Sequence, residues 1–302
     1  MPFLCVENDG IGERKARKEG TLPRACGIIH NFVFREFHMA KIAPLSKEAH
    51  ASKRWIRDAG HAWAAADTVV PLVAFEMPKA LLIYPLAFIR SPDDGYLPVA
   101  VLGLGGAKNL FVAPDGRWIG GYKPLVYQAH PFVMATDGQG QPIVCVKEDS
   151  ELLSDTSGDA LFEGGGQPSA VLKSVMEFLG AIAGNRPATL RACQALQANG
   201  LIKPWQVTLK DDGGERPVAG LYCVDEDALN ALSAENFESL RQAGALVVAY
   251  CQLLSMQQLP VLGKLARAHG LAAKERQEMK ITKPAPELNL EFLKNNDTIK
   301  FS

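Results

Sequence analysis

The residues best equipped for chemistry lie in one short stretch. Between positions 115 and 130 stand Asp115, Arg117, Trp118, Lys123, Tyr127 and His130. A carboxylate, two fixed cations and an imidazole can shuttle a proton or hold an anion, and the two rings can stack on a partner. Arginine and aromatic side chains are also the types enriched where proteins make specific contacts. The stretch is therefore the candidate binding surface of the chain, with a protein or peptide as the expected partner. The rival use of these residues is an enzyme site of unrecognised type acting on a peptide. Ordinary strand packing competes with both, since aromatic residues also favour strands.

Other constellations fail their own requirements. The run from Val99 to Val112 holds Gly103 and Gly105, but Lys108 stands where a dinucleotide fingerprint needs its third glycine. The apolar residues after it read as strand, so the helix N-terminus that would receive a phosphate is missing. Glu148, Asp149, Glu151, Asp155, Asp159 and Glu163 crowd one segment without the alternate spacing and central glycine of a calcium loop, and read as a solvated loop. The glycines at 164–166 before the next helix read as turn relief. His30, His38, His50, His61, His130 and His269 show no metal-ligand spacing, and the six cysteines contain no C-x-x-C pair. No cofactor and no metal site are expected. No G-x-S-x-G elbow and no local cysteine-protease signature occurs, so catalytic residues stay unassigned.

The elements that would position the candidate surface form an α+β pattern. An antiparallel, β-rich N-terminal half precedes a mainly helical C-terminal half that carries a β-hairpin. Val69–Ile89 is apolar enough to suggest a membrane span, yet Glu76, Lys79 and three prolines interrupt it, so it reads as a buried helix–turn–strand segment. Tyr96 opens a strand. Residues 109–122 read as two strands about Pro114-Asp115-Gly116, and residues 131–148 as two more about a glycine-rich turn. Val171–Ile182 has helical spacing, with Asn185 and Pro187 opening a second helix that Asn199-Gly200 closes. A hairpin turns at 211–214, Asp225 and Ser233 cap helices, and Gly244 separates the second of these from an apolar helix.

Composition sets the outer limits. The 302 residues are 47% hydrophobic and 22% charged, typical of a folded domain, with 32 Lys+Arg against 33 Asp+Glu. That balance removes the electrostatic case for nucleic-acid binding. No secretory signal opens the sequence, so a cytoplasmic location is expected, with no membrane insertion. Residues 1–38 read as an upstream extension, 39–270 as the α+β domain, 271–287 as a linker and 288–302 as a docked β tail. The alternation of Leu288, Leu290 and Phe292 carries that last reading, and its dock is the chain's own sheet or a second copy in a homo-oligomer.

Four segments carry a resemblance: KNLFVAPDGRWIGGYKP, IVCVKEDSELLSD, GLYCVDEDALNALS and GALVVAYCQLLSMQQL. With them the sequence resembles the SapC family of bacterial proteins, named after a gene of a surface-layer locus, from about Met39 to the end. The peptide-transporter permease of the same name is a different protein, and the lack of a credible span sets it aside. The resemblance brings no reaction and no catalytic residue. It implies a link to surface-layer or cell-envelope processes, or to a modifying enzyme, since members often lie beside halogenase-like and outer-membrane-receptor genes. The resulting expectation is a soluble binding or accessory protein rather than an enzyme.

Overall fold

Two hydrophobic cores, and one long helix that runs between them, organise the computed structural model of this chain. It describes residues 41–282 apart from positions 58, 93, 106, 107, 138, 140, 212 and 213. The readings of residues 1–38 and of the tail at 288–302 lie outside the described residues.

The chain begins with β1 (Ile42–Pro44), the single turn α1 (Lys47–His50) and β2 (Arg54–Trp55). It continues through β3 (Val69–Pro71), α2 (Met77–Ala80), β4 (Leu86–Arg90) and β5 (Tyr96–Val101). Next come a helical turn α3 (Leu125–Gln128), the hairpin β6 (Phe132–Thr136) and β7 (Pro142–Lys147), and two short strands, β8 (Leu153–Ser154) and β9 (Asp159–Ala160). The helix α4 (Ala170–Ala198) leads to β10 (Ile202–Pro204), β11 (Val207–Asp211), β12 (Gly214–Val218) and β13 (Tyr222–Val224). The rest is helical: α5 (Glu226–Asn230), α6 (Ala234–Gln242), α7 (Ala245–Ser255) and α8 (Leu259–Thr282). Antiparallel sheets in the first half and helices in the second make this an α+β fold.

The larger core surrounds a five-stranded antiparallel sheet in the order β10-β13-β4-β5-β3. β4 is buried along four of its five residues because α4 and α7 pack against this sheet. The pairing of β13 with β4 is a single register pair, Tyr222 with Phe88. Beyond it a helix side chain supplies the missing rung. The buried Gln252 of α7 accepts from Val224 N–H at 2.8 Å and donates to Leu86 O at 3.2 Å, and Ser255 Oγ accepts from Leu86 N–H at 2.8 Å. Residues 63–127 and 192–265 build this core.

The smaller core lies under the sheet β1-β7-β6 and gathers Phe132, Val146, Leu161, Leu172, Val175 and Leu179. Trp55 closes it edge-on to Phe132, with ring centroids 5.3 Å apart. The segment read as a solvated acidic loop contributes β8 and β9, which flank β2. A methyl group at Gly158, beside β9, would fall 2.3 Å from Trp55 O, and its φ of 98° suits glycine alone. Three acids of this segment pair with basic side chains: Asp155 with Lys53, Asp159 with Arg57 and Glu148 with Lys41.

Three element readings change. Pro187 does not open a second helix; α4 is continuous for 29 residues. The proline removes the bond to Ala183 O and crowds that carbonyl. Packing on both sides keeps the helix whole: Leu172, Val175 and Leu179 anchor it in the smaller core, and Ala192, Cys193 and Leu196 in the larger. At the seam the Thr189 hydroxyl accepts from Ala74 N–H at 2.8 Å and Asn185 Oδ1 from Phe75 N–H at 3.3 Å. The stretch read as a linker from residue 271 is helical as far as Thr282. Its Ala, Lys, Glu, Arg, Gln and Met residues favour helix, and the prolines that oppose it come later, at 284 and 286. Residues 109–122 form a tight reversal with the single bridge Val112–Trp118 rather than two strands.

Ala245–Ala273 is one further stretch long and apolar enough to cross a membrane by length and composition, with mean hydropathy 1.4. Its first half is occupied otherwise, since Ala245, Val248, Ala249, Cys251, Gln252 and Ser255 face the core.

Candidate functional site

The stretch 115–130 is folded around two anchors, a turn and a buried carboxylate. At the turn, Gly116 N–H donates to Ala113 O and Ala113 N–H to Arg117 O, each at 2.8 Å, and Gly116 takes a φ of 85°. Asp115 and Arg117 are spent on each other at its tip, where Arg117 Nε lies 2.7 Å from Asp115 Oδ2 and both side chains are solvated. The guanidinium and backbone N–H of Arg117 hold the Asp115 carboxyl below its ordinary range. The turn is fixed to the body by His61 N–H, which donates to Gly116 O at 2.7 Å.

The second anchor is Glu76, which is 2% exposed. Its carboxylate accepts from Val73 N–H at 3.1 Å, from the Tyr122 hydroxyl at 2.9 Å and from Leu125 N–H at 3.0 Å. Burial raises its pKa, against the pull of these donors. Tyr84 donates to Tyr122 O, which also accepts from Trp118 Nε1–H at 3.1 Å. The glycines at 120 and 121 permit this approach, because a Cβ at Gly120 would meet Trp118 Nε1 and Tyr84 Oη at 2.9 Å. Residues 117–130 are thus a loop with two glycines at its bend, followed by the turn α3.

Three of the six candidate residues enter an aromatic cluster. The buried His130 ring stacks on Trp63 at 3.6 Å and 4°. Tyr127, also buried, meets Trp63 edge-on at 5.1 Å and Trp118 edge-on at 5.7 Å, and its hydroxyl donates to Asp67. His61 tilts towards Trp63 and Trp118 at 6.0 and 5.8 Å. Burial, and after it the charge of Lys123, lower the His61 pKa. The structure therefore brings Trp118, Tyr127 and His130 together, keeps Lys123 half-buried in the same loop, and leaves Asp115 and Arg117 solvated at the turn.

The arrangement is a poor acid–base machine. His130 Nε2 lies 3.3 Å from Ser150 Oγ, a pairing of nucleophile and base types. But burial, then Lys147 and His61, push the His130 pKa down to about 3, far from what a general base needs at neutral pH. Cys145, Cys193, Cys223 and Cys251 are buried and unbridged, and burial pushes the Cys193 thiol up to about 12. Among the described residues no three of His, Cys, Asp and Glu gather at metal-binding distance.

Sequence reasoning missed His61, Trp63, Glu76, Tyr84 and Ser150. One signal was present: Glu76 is a carboxylate inside an apolar run, and an acid there is tolerated only when its hydrogen bonds are filled. Also missed were the apolar side chains around this region. Phe75, Leu82, Ile119 and Val126 are 50%, 65%, 43% and 37% exposed. They sit on segments 74–82 and 119–126, which Glu76 and Tyr84 hold against each other.

A family model described as SapC matches residues 45–262, well over half of the chain. No curated protein and no solved structure matches it.

Proposed function

The chain belongs to the SapC family, and from that premise we propose that it is a soluble binding or accessory protein for a protein or peptide partner. Its service is to surface-layer or cell-envelope processes or to a modifying enzyme, and its location cytoplasmic, without nucleic acid or membrane insertion. One observation carries the reading: Phe75, Leu82, Ile119 and Val126 stand exposed on segments that a buried hydrogen-bond network makes rigid. Exposed apolar groups on two segments joined by buried hydrogen bonds support a contact site there, since segments tied in this way lose little entropy when a partner docks. Arg117, Asp115 and Lys123 give the surface a polar rim suited to choosing among partners. An enzyme acting on a peptide is the second reading, and the approach of Ser150 Oγ to His130 is the observation on its side.

Affinity capture from the native bacterium, followed by mass spectrometry, tests the first reading. A partner retained by wild type should fall at least tenfold with Leu82→Asp/Ile119→Asp, at an unchanged melting temperature. Equal capture by that variant would reject this surface. Hydrolysis of a peptide library that is lost in Ser150→Ala would favour the enzyme.

A further inference from the structure

The helix α7 wears its polarity inside out. It contains no charged residue, and its amide and hydroxyl side chains, Gln252 and Ser255, are buried and bonded to β4 and β13. Its exposed residues are Val247, Tyr250 and Leu254, at 54%, 43% and 55%. A helix on the surface of a soluble domain ordinarily turns charged and polar residues outward.

The outward stripe runs on into α8. The 3₁₀ turn Met256–Gln258 joins the two helices with right-handed helical angles at both ends, so the path is unbroken. In steps of three and four residues, Gln257, Val261, Lys264, Ala268 and Leu271 follow Leu254, all exposed except the half-buried Val261. At 1.5 Å per residue the line from Val247 to Leu271 is about 36 Å long. The body covers little of it, since only 39% of the most apolar window in Ala245–Ala273 is buried.

The charge of this part is one-sided. The chain has 33 acids among 302 residues, yet none falls between Ser239 and Lys274. Lys264 and Arg267 are exposed there, and among the described residues neither meets a carboxylate. Elsewhere Lys41, Lys53, Arg57, Arg90 and Lys203 each do.

An occupant of the stripe must therefore be apolar and anionic at once. A second copy seated there meets only half of this demand, because a two-fold contact sets the patch against itself and brings more cations but no acid. With a net charge of -1 the whole chain feels no general pull towards an anion, so the match must be made at the stripe. A bilayer surface with acidic headgroups supplies both properties along a plane, and a long exposed line is what a helix lying in that plane presents. Tyrosine suits the boundary between headgroups and acyl chains, and lysine and arginine reach outward to the headgroups. The inner face, tied to the sheet through Gln252 and Ser255, keeps the helix on the surface rather than across the bilayer.

We propose that the outward stripe of α7 and α8 docks on an anionic lipid surface. Val247, Tyr250, Leu254 and Leu271 enter the acyl boundary, and Lys264 and Arg267 meet the acidic headgroups. The contact is peripheral and reversible, since a few apolar side chains and two cations make no permanent anchor. It uses none of the residues of the partner surface, so either can fail alone.

The test is co-sedimentation of the full chain with large unilamellar vesicles of phosphatidylcholine, alone or with about 30 mol% phosphatidylserine. Binding should rise at least fivefold with the acidic lipid and fall away in 1 M salt. Lys264→Gln/Arg267→Gln should weaken it at least tenfold, and Val247→Ser/Leu254→Ser at least fivefold, each at an unchanged melting temperature. No binding to the acidic vesicles, equal binding to both compositions, or variants that sediment like wild type would overturn the proposal. So would a dimer in light scattering that Val247→Ser/Leu254→Ser dissociates, which would give the stripe to a second copy. An acidic protein that wild type retains and Lys264→Gln/Arg267→Gln loses, in the absence of lipid binding, would give it to a protein instead.

Discussion

The two cores solve the same problem, how to keep polar groups near apolar ones, in opposite ways. The larger core encloses a charge and surrounds it with donors, although Trp63 Nε1 at its edge stays unfilled. Glu76 receives three donors and Gln252 completes a gap in the sheet. The smaller core keeps its charges on the rim, as Lys41–Glu148, Lys53–Asp155 and Arg57–Asp159 pairs. A large core can enclose a charge because it surrounds the charge with donors; a small one cannot, so its charges stay wet. The stability of this protein should therefore depend more on the first set than on the second.

Glu76→Ala should break that comparison most severely. It leaves Val73 N–H, Leu125 N–H and the Tyr122 hydroxyl without their acceptor, so a urea melt should show a loss of about 3–5 kcal/mol. Glu76→Gln, which keeps an acceptor oxygen, should cost visibly less; a loss below about 1 kcal/mol for the alanine variant would show that the network is incidental. Gln252→Leu comes next, at about 2–3 kcal/mol, because Val224 N–H and Leu86 O lose their partner at the sheet gap. A smaller loss would mean that the strands close on each other.

The seam between the cores responds to acid. His130 is neutral in the fold down to about pH 3, whereas the unfolded chain protonates it below about 6.5. Its folded pKa is depressed, so its stabilising share is complete above about 6.5 and is lost as the pH falls towards 3. Wild type should therefore lose about 2 kcal/mol more than His130→Phe between pH 7 and 4, since phenylalanine keeps the stack on Trp63 and takes up no proton. Parallel pH curves would place the acid-sensitive group elsewhere. The smallest effect belongs to the rim: Arg57→Ala should change stability by less than about 1 kcal/mol, and the difference should shrink in 1 M salt.

Local chemistry made part of this fold legible. Period-two apolar residues gave the β6–β7 hairpin, Asp225 and Ser233 cap their helices through side-chain oxygens, and Gly244 adopts a φ of 71°. What escaped depends on residues distant in sequence. Pro187 looks like a helix start until both of its flanks are seen to be buried in different cores. Residues 109–122 look like two strands because Phe111, Trp118 and Tyr122 are strand formers, whereas Trp118 packs by His61 and the Tyr122 hydroxyl is held by Glu76. The candidate stretch was found for its residue types. Its geometry could not be, since stacking on Trp63 and the bond to Asp67 join positions more than fifty residues apart.

Neither core is one continuous piece of chain. Leu45 and Trp55 belong to the smaller, residues 63–127 to the larger, 129–179 to the smaller again, and 192–265 to the larger. On the ribosome this order matters. Every residue of the smaller core has been made once Leu179 is joined, while the larger still awaits β10, β13 and its last helices. The smaller core is then expected to close first, as units do during synthesis. Its closure sets the direction of α4, and the second half of that helix arrives already aimed at the unfinished sheet. No single cut yields either core alone, so a library of shortened chains should contain one long soluble survivor and no short ones.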